Sequence, residues 1–208
     1  RVYDFGQNTS MMPRLRVRGP AGATVKMTPS ELLQPDGSID TSSFMRGPNG
    51  SWWSYTLRGG DIAEEWYPKF FYTGARYLQV ELSAPDGRNL PTIESLESVV
   101  VHTASAPAGE FACSNELFNR IRTLVRWAQR SNLVSVITDC PHREKFGWLE
   151  QYYLNGPSLR YEFDLAQLYT KTFGDMADAQ LPNGLVPDIA PEFVIFGGGF
   201  RDSPEWGS

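Results

Sequence analysis

Between Thr138 and Gln151 the chain reads Thr-Asp-Cys-Pro-His-Arg-Glu-Lys-Phe-Gly-Trp-Leu-Glu-Gln, its densest run of reactive side chains. Asp139, Arg143, Glu144 and Glu150 crowd beside Trp148. Carboxylates this close suit glycosidic cleavage, in which a protonated acid donates to the leaving oxygen. Arg143 can orient sugar hydroxyls through its fork of donors, and an indole face can stack on a sugar's C–H surface. Composition by itself favours a plainer reading, a surface loop of Arg–Glu pairs. No metal site is expected, because Cys140 and His142 stand at i, i+2 with no second Cys/His pair at zinc spacing. Cys140 with His142 as base is also a poor nucleophile pair, since such close neighbours seldom meet in hydrogen-bonding geometry.

The elements that must position this run change character along the chain. From Arg1 to Ala108 the apolar pattern has period two, the strand signal. Leu15 and Val17 alternate with Arg14, Arg16 and Arg18; Trp53, Tyr55 and Leu57 with Ser54, Thr56 and Arg58; Leu78, Val80 and Leu82 with Tyr77, Gln79 and Glu81. Turn clusters separate them at Gly19-Pro20, Gln34-Pro35-Asp36-Gly37, Gly47-Pro48-Asn49-Gly50 and Ala84-Pro85-Asp86-Gly87. An antiparallel β-sandwich is expected over 1–108. After a linker at 105–109 the period becomes helical. Ser114 is the expected N-cap, followed by Leu117, Ile121, Leu124, Val125 and Ala128 on one face. A second helical stretch is expected from Ser158 to Gln180, ended by Leu181-Pro182-Asn183-Gly184. The tail to Ser208 reads as a Gly/Pro-rich loop.

Composition narrows the function further. The 208 residues carry 19 basic and 24 acidic side chains, a net charge of −5, with 41% apolar and 21% charged residues. That balance belongs to a folded globular chain and argues against a nucleic-acid partner, which calls for a basic surface. No apolar run approaches the ~18 residues of a membrane span, so no membrane partner is expected. Two cysteines, Cys113 and Cys140, do not make a disulfide framework. The chain opens on Arg1 and stops at Ser208 after Trp206-Gly207, and it is expected to be part of a longer protein.

The segment from Asp139 to Trp148 resembles the signature of α-L-rhamnosidases of glycoside hydrolase family 78, which reads Asp-Cys-Pro-Gln-Arg, an acid, a basic residue, a variable residue and Gly-Trp. Asp4-Phe5-Gly6-Gln7-Asn8 resembles the opening of that family's β-sandwich. Tyr55-Thr56-Leu57-Arg58-Gly59, Glu65-Trp66, Pro68, Phe70-Phe71-Tyr72, Gly74 and Arg76-Tyr77 resemble its later strands. The resemblance implies a β-sandwich followed by the first helices of an (α/α)6 barrel, in an incomplete chain. It implies hydrolysis of terminal α-L-rhamnose with inversion and without a cofactor. Glu144 would be the general acid, with Asp139, Arg143 and Trp148 holding the sugar; the base would lie beyond Ser208, leaving the fragment inactive alone.

Three departures accompany the resemblance. His142 stands where the family has Gln, and both can donate to a sugar hydroxyl. Glu150-Gln151 replace Gly-Asp, with Glu150 available as a substitute carboxylate by a one-residue shift. Trp206-Gly207-Ser208 replace Trp-Gly-Asp, keeping Trp206 as a candidate contact with Asp202 and Glu205. Fewer carboxylates would suit a uronate-linked rhamnoside, so a rhamnose–glucuronate lyase is one alternative, and a carbohydrate-binding β-sandwich is another. The expected partner is a rhamnose-containing glycan or glycoside in a periplasmic or secreted setting; oligomeric state stays open.

Other residues have structural readings. Trp52, Trp53 and Trp66 offer a sugar platform, although Trp53 is expected in the core, as is Trp127. His102 is expected to be a satisfied structural histidine, and Arg120, Arg122, Arg126 and Arg130 the solvated side of the first helix. Asn8-Thr9-Ser10 and Asn49-Gly50-Ser51 match the glycosylation sequon. The faces Leu117–Ala128 and Leu159–Tyr169 are expected to lack partners in this chain.

Overall fold

The computed structural model describes residues 1–44, 50–198 and 200–207. The turn and sequon at Asn49 lie outside those residues. The chain forms two compact units, Arg1–Val101 and His102–Ser208.

The first unit is built from β1 (Val2–Arg18), β2 (Thr24–Ser30), β3 (Leu32–Leu33), β4 (Ile39–Asp40), β5 (Trp53–Thr56), β6 (Glu64–Trp66), β7 (Thr73–Ser83) and β8 (Thr92–Val100). One antiparallel sheet runs β5-β2-β7-β1-β6, with β8 also on β1. At 17 residues, β1 is long enough to pair with β7 along its first part and with β6 and β8 along its second. Alternation decides the two faces. Leu15, Val17, Val25, Met27, Leu78 and Val80 point into the core. On the opposite face Arg16 reaches Glu94 at 2.7 Å and Glu65 at 3.2 Å, and Arg14 pairs with Glu97. Gly59 adopts φ +83°, and a Cβ there would sit 2.4 Å from the Ala21 nitrogen, so no side chain fits.

Of the three indoles weighed as a platform, Trp53 is 4% exposed and donates from Nε1 to the Phe71 carbonyl at 3.2 Å. Trp66 stacks on Tyr55. Trp52 is exposed beneath the Lys26 ammonium.

The second unit contains α1 (Glu116–Asn132), the short hairpin β9 (Leu133–Val134) and β10 (Val136–Ile137), α2 (Glu150–Leu154), α3 (Gly156–Glu162), α4 (Ala166–Ala179) and α5 (Pro204–Gly207). Four expectations are corrected here. The cap of α1 is Asn115, whose Oδ1 accepts the Leu117 N–H at 3.0 Å, rather than Ser114. The helical stretch expected from Ser158 to Gln180 is broken: Phe163 is extended, and Asp164 accepts the Ala166 N–H at 3.0 Å. A short carboxylate competes for backbone donors and restarts the helix after it.

The third correction concerns the arginines of α1. Arg122 makes a two-bond ion pair with Glu162, at 2.8 and 3.1 Å, and donates to the Gly109 and Phe111 carbonyls. Arg126 pairs with the same carboxylate and lies over the Phe163 ring. Arg130 donates to His102 Nε2, whose Nδ1 lies 2.7 Å from the Thr103 carbonyl. A carboxylate left 12% exposed needs cationic partners, and arginine stems can bury while their heads stay paired. The arginine side of α1 therefore faces its own unit, Arg120 excepted, while Leu117, Ile121, Leu124 and Val125 are exposed. Finally, the second apolar face is not unpartnered: Leu159, Phe163, Leu165 and Leu168 bury together with Leu133 and Ile137.

The 105–109 stretch bonds to the helical unit, Ala108 N–H to the Glu162 carbonyl and Asp164 N–H to that of Ala106. No helix among the described residues is long and apolar enough to cross a membrane.

Candidate active site

The reactive run leaves the β9–β10 hairpin and is anchored before it turns. Thr138 is buried, its N–H donating to the Asn132 carbonyl at 2.8 Å and its hydroxyl to Asn132 Oδ1 at 3.0 Å. Asp139 then closes the loop against Phe146 twice. Its N–H donates to the Phe146 carbonyl at 3.2 Å, and its Oδ1 accepts the Phe146 N–H at 3.1 Å. Inside that closure, the Cys140 Sγ accepts the Glu144 N–H at 3.2 Å and donates to Asp139 Oδ2 at 3.4 Å. Glu144 sits on the resulting turn, its side chain 26% exposed and 3.3 Å from the Arg143 guanidinium. Lys145 takes φ +58°, a conformation few non-glycine residues adopt. Burial lowers its ammonium to about 8, and the nearby Cys140 opposes this.

Beyond the turn, residues 147–149 lie antiparallel to 188–190. Leu149 N–H donates to the Asp188 carbonyl at 2.9 Å, and Ala190 N–H to that of Gly147 at 3.2 Å. A Cβ at Gly147 would lie 2.8 Å from the Ala190 oxygen, so this close approach requires glycine. Asp188 is 1% exposed and accepts both the N–H and the hydroxyl of Ser203, at 2.7 and 2.9 Å. Arg201 and Glu192 form a second two-bond pair. These contacts fold the tail back into an aromatic cluster. Trp148 stacks on Phe196 at 5.2 Å and meets the edge of Trp206 at 5.0 Å; Phe146 contacts Trp148, Phe193 and Phe196.

A cavity of about 250 Å³ opens between α1, the start of the loop, α2 and α3. Asp139 and Gln151 line it together with Gln129, Asn132, Asn155 and Ser158. Its polar groups are amides, hydroxyls and one carboxylate, a lining suited to a neutral, hydroxyl-rich ligand. Among the described residues no three His, Cys, Asp or Glu side chains converge as metal ligands would.

The residues singled out from sequence thus fall into linked groups. Asp139 and Gln151 share the cavity wall. Glu144 and Arg143 pair on the turn with His142 beside them. Trp148 and Trp206 meet in the aromatic cluster. Glu150 opens α2 and accepts from Gln151 Nε2 at 3.2 Å, leaving Gln151 rather than Glu150 on the cavity wall. The connection between Asp139 and Glu144 runs through Cys140. Phe193, Phe196 and Asp188, whose partner Ser203 lies 15 residues away, are not among the residues that the sequence singles out. Two aromatic residues three apart in a Gly-rich tail were the available signal.

Two family models cover the chain in order. Residues 1–102 match the concanavalin-like domain of bacterial α-L-rhamnosidases, and residues 106–208 match their six-hairpin glycosidase domain. An α-L-rhamnosidase of Streptomyces avermitilis is 36% identical over 95% of this chain and 19% of its own length. One from Formosa agariphila is 30% identical over 99% of the chain and 22% of its own. Among solved structures, the α-L-rhamnosidase from Dictyoglumus thermophilum superposes with a TM-score of 0.84 at 36% identity, over 99% of this chain and 22% of that one. The Streptomyces avermitilis enzyme complexed with L-rhamnose gives 0.80 at 32%, over 97% and 19%. The chain spans about a fifth of the length of the curated relatives it matches.

Proposed function

The chain belongs to the bacterial α-L-rhamnosidase family, and from that premise we propose that the protein carrying it hydrolyses terminal α-L-rhamnosides with inversion. Its helical part would open an (α/α)6 barrel and its β part would be a two-layered sandwich. In this reading Glu144 is the general acid. Protonated, it gives its proton to the glycosidic oxygen as the bond to the anomeric carbon breaks. A second carboxylate, roughly 6.5–9.5 Å away, takes a proton from the water that attacks the opposite face. Asp139 and Gln151 hold sugar hydroxyls from the cavity wall, Arg143 and His142 donate to them, and Trp148 with Trp206 supplies the apolar surface. Glu150 orients Gln151.

The observation that carries this reading is the restraint on Glu144. Its loop is closed at Asp139–Phe146, stitched at Cys140 and zipped at 147–149, and general acid catalysis requires a proton donor held within hydrogen-bond reach of the leaving oxygen. The neutral Gln151 on the cavity wall favours, as a second reading, a rhamnose joined to a uronate and cleaved by elimination. Product analysis separates the two. Hydrolysis of a rhamnosyl–glucuronate disaccharide releases two saturated sugars, whereas elimination leaves an unsaturated uronate with new ultraviolet absorbance. Absence of free rhamnose from any α-L-rhamnoside would remove the first reading.

A further inference from the structure

The contacts of Cys140 carry a consequence for the acid loop that neither a nucleophile nor a metal-ligand role describes. Its Sγ lies between two groups, 3.4 Å from Asp139 Oδ2 and 3.2 Å from the Glu144 nitrogen. A thiol has one proton to give and lone pairs to receive. Here the proton faces a carboxylate and the lone pairs face a backbone N–H, so both functions are used. We propose that Cys140 is a positioning residue whose thiol couples the sugar-facing carboxylate Asp139 to the acid Glu144 and fixes the distance between them.

Asp139 spends Oδ1 on the Phe146 N–H, so Oδ2 is the oxygen left to orient, and the thiol orients it. Glu144 lies on a turn that continues into Lys145 at φ +58°. A non-glycine residue there carries strain that the surroundings must hold in place. The Cys140–Glu144 bond closes that turn from its start, much as a capping side chain closes the first turn of a helix. Without it, Glu144 keeps its Arg143 partner and the Asp139–Phe146 closure around it but loses the hydrogen bond to its own N–H. Misplacement of a catalytic group by about 1 Å can cost on the order of 10²-fold in rate.

The inference rests on Glu144 acting as the acid, so its test has one arm that does not. Amide hydrogen exchange is measured on the full-length protein as wild type, Cys140→Ala and Cys140→Ser. Alanine removes both bonds, whereas a serine hydroxyl can donate and accept as the thiol does. The Glu144 amide is expected to exchange roughly 10-fold faster in Cys140→Ala, with protection restored in Cys140→Ser and the Asn132–Thr138 amides unchanged in both. In the enzyme with its whole catalytic domain, Cys140→Ala is expected to lower kcat by about 10- to 100-fold with KM nearly unchanged, and Cys140→Ser to recover most of it. Equal exchange at Glu144 in all three proteins would overturn the proposal. So would wild-type kcat for Cys140→Ala in an enzyme that Glu144→Gln inactivates. Altered exchange with no kinetic effect of either Cys140→Ala or Glu144→Gln would keep the clasp and sink the acid role instead.

Discussion

Asp139 and Phe146 hold each other twice across six intervening residues, by N–H to carbonyl at 3.2 Å and by carboxylate to N–H at 3.1 Å. This pair makes the acid-bearing turn a closed ring, and it makes Asp139 both a wall of the cavity and a fastener of the loop. Asp139→Asn keeps an acceptor at Oδ1, whereas Asp139→Ala removes it. The alanine variant is expected to lose about 1–3 kcal/mol of local stability, read as faster exchange of the Phe146 amide. Unchanged protection in Asp139→Ala would mean the backbone bond alone closes the ring.

Glu144→Gln in the enzyme with its whole catalytic domain is expected to preserve folding and cut kcat by about 10²–10⁴-fold on rhamnosides with poor leaving groups. The loss is expected to shrink for an activated aryl rhamnoside, whose leaving group needs little protonation. Steady-state kinetics on both substrates check this, and equal losses would reassign Glu144 to sugar binding or loop support.

The β unit has its own acid-sensitive joint. Burial pushes the Glu64 carboxyl up, but the Tyr55 hydroxyl at 2.7 Å, the Gly59 and Arg58 N–H groups and the Arg58 guanidinium outweigh it and hold it at about 2, against an ordinary 4.5. A carboxyl depressed in the folded state contributes stability that is complete above its unfolded value and is lost as pH falls through its folded one. The melting temperature of the β unit is therefore expected to drop between about pH 4.5 and 2. Asp4, held near 2 by Arg76 and the Gly6 N–H, titrates over the same window. The diagnostic quantity is accordingly the difference between wild type and Glu64→Gln, whose melting curve should be flatter there. Parallel curves would assign the acid sensitivity elsewhere.

Arg122 and Glu162 tie α1 to the end of α3, with side chains 23% and 12% exposed. Arg122→Ala removes the two-bond partner of Glu162, leaving the carboxylate its 3.5 Å contact with Arg126, and is expected to cost about 1–3 kcal/mol. Arg122→Lys should fall between, because an ammonium cannot reproduce the two-bond fork. Denaturant melts of the three proteins give the ranking, and a lysine variant as weak as alanine would show that the fork to the Gly109 and Phe111 carbonyls matters more than the charge.

Local pattern made the strands and the reactive run legible, because both depend on near neighbours in the chain. Alternation at Leu15, Val17, Leu78 and Val80 places those residues in the core irrespective of partner, since a strand's side chains have period two. The run from Asp139 to Trp148 carries its likeness to the rhamnosidase signature in residue order, whereas its residue types without that likeness favour a surface loop. Tertiary structure alone decided which side of α1 turns inward. The residue pattern puts the arginines of α1 on its solvated side, and the buried charge of Glu162, 40 residues from Arg122, turns them inward instead. The break at Phe163 was equally illegible, because the helical period continues through it while the Asp164 side chain takes the Ala166 N–H. The aromatic cluster needed Asp188 and Ser203 to meet across 15 residues, and Cys140 gained its role from a turn that aims one N–H and one carboxylate at its sulfur. Periodicity records what each residue prefers beside its neighbours; these long-range pairings depend on which charges and backbone groups the fold leaves to be satisfied.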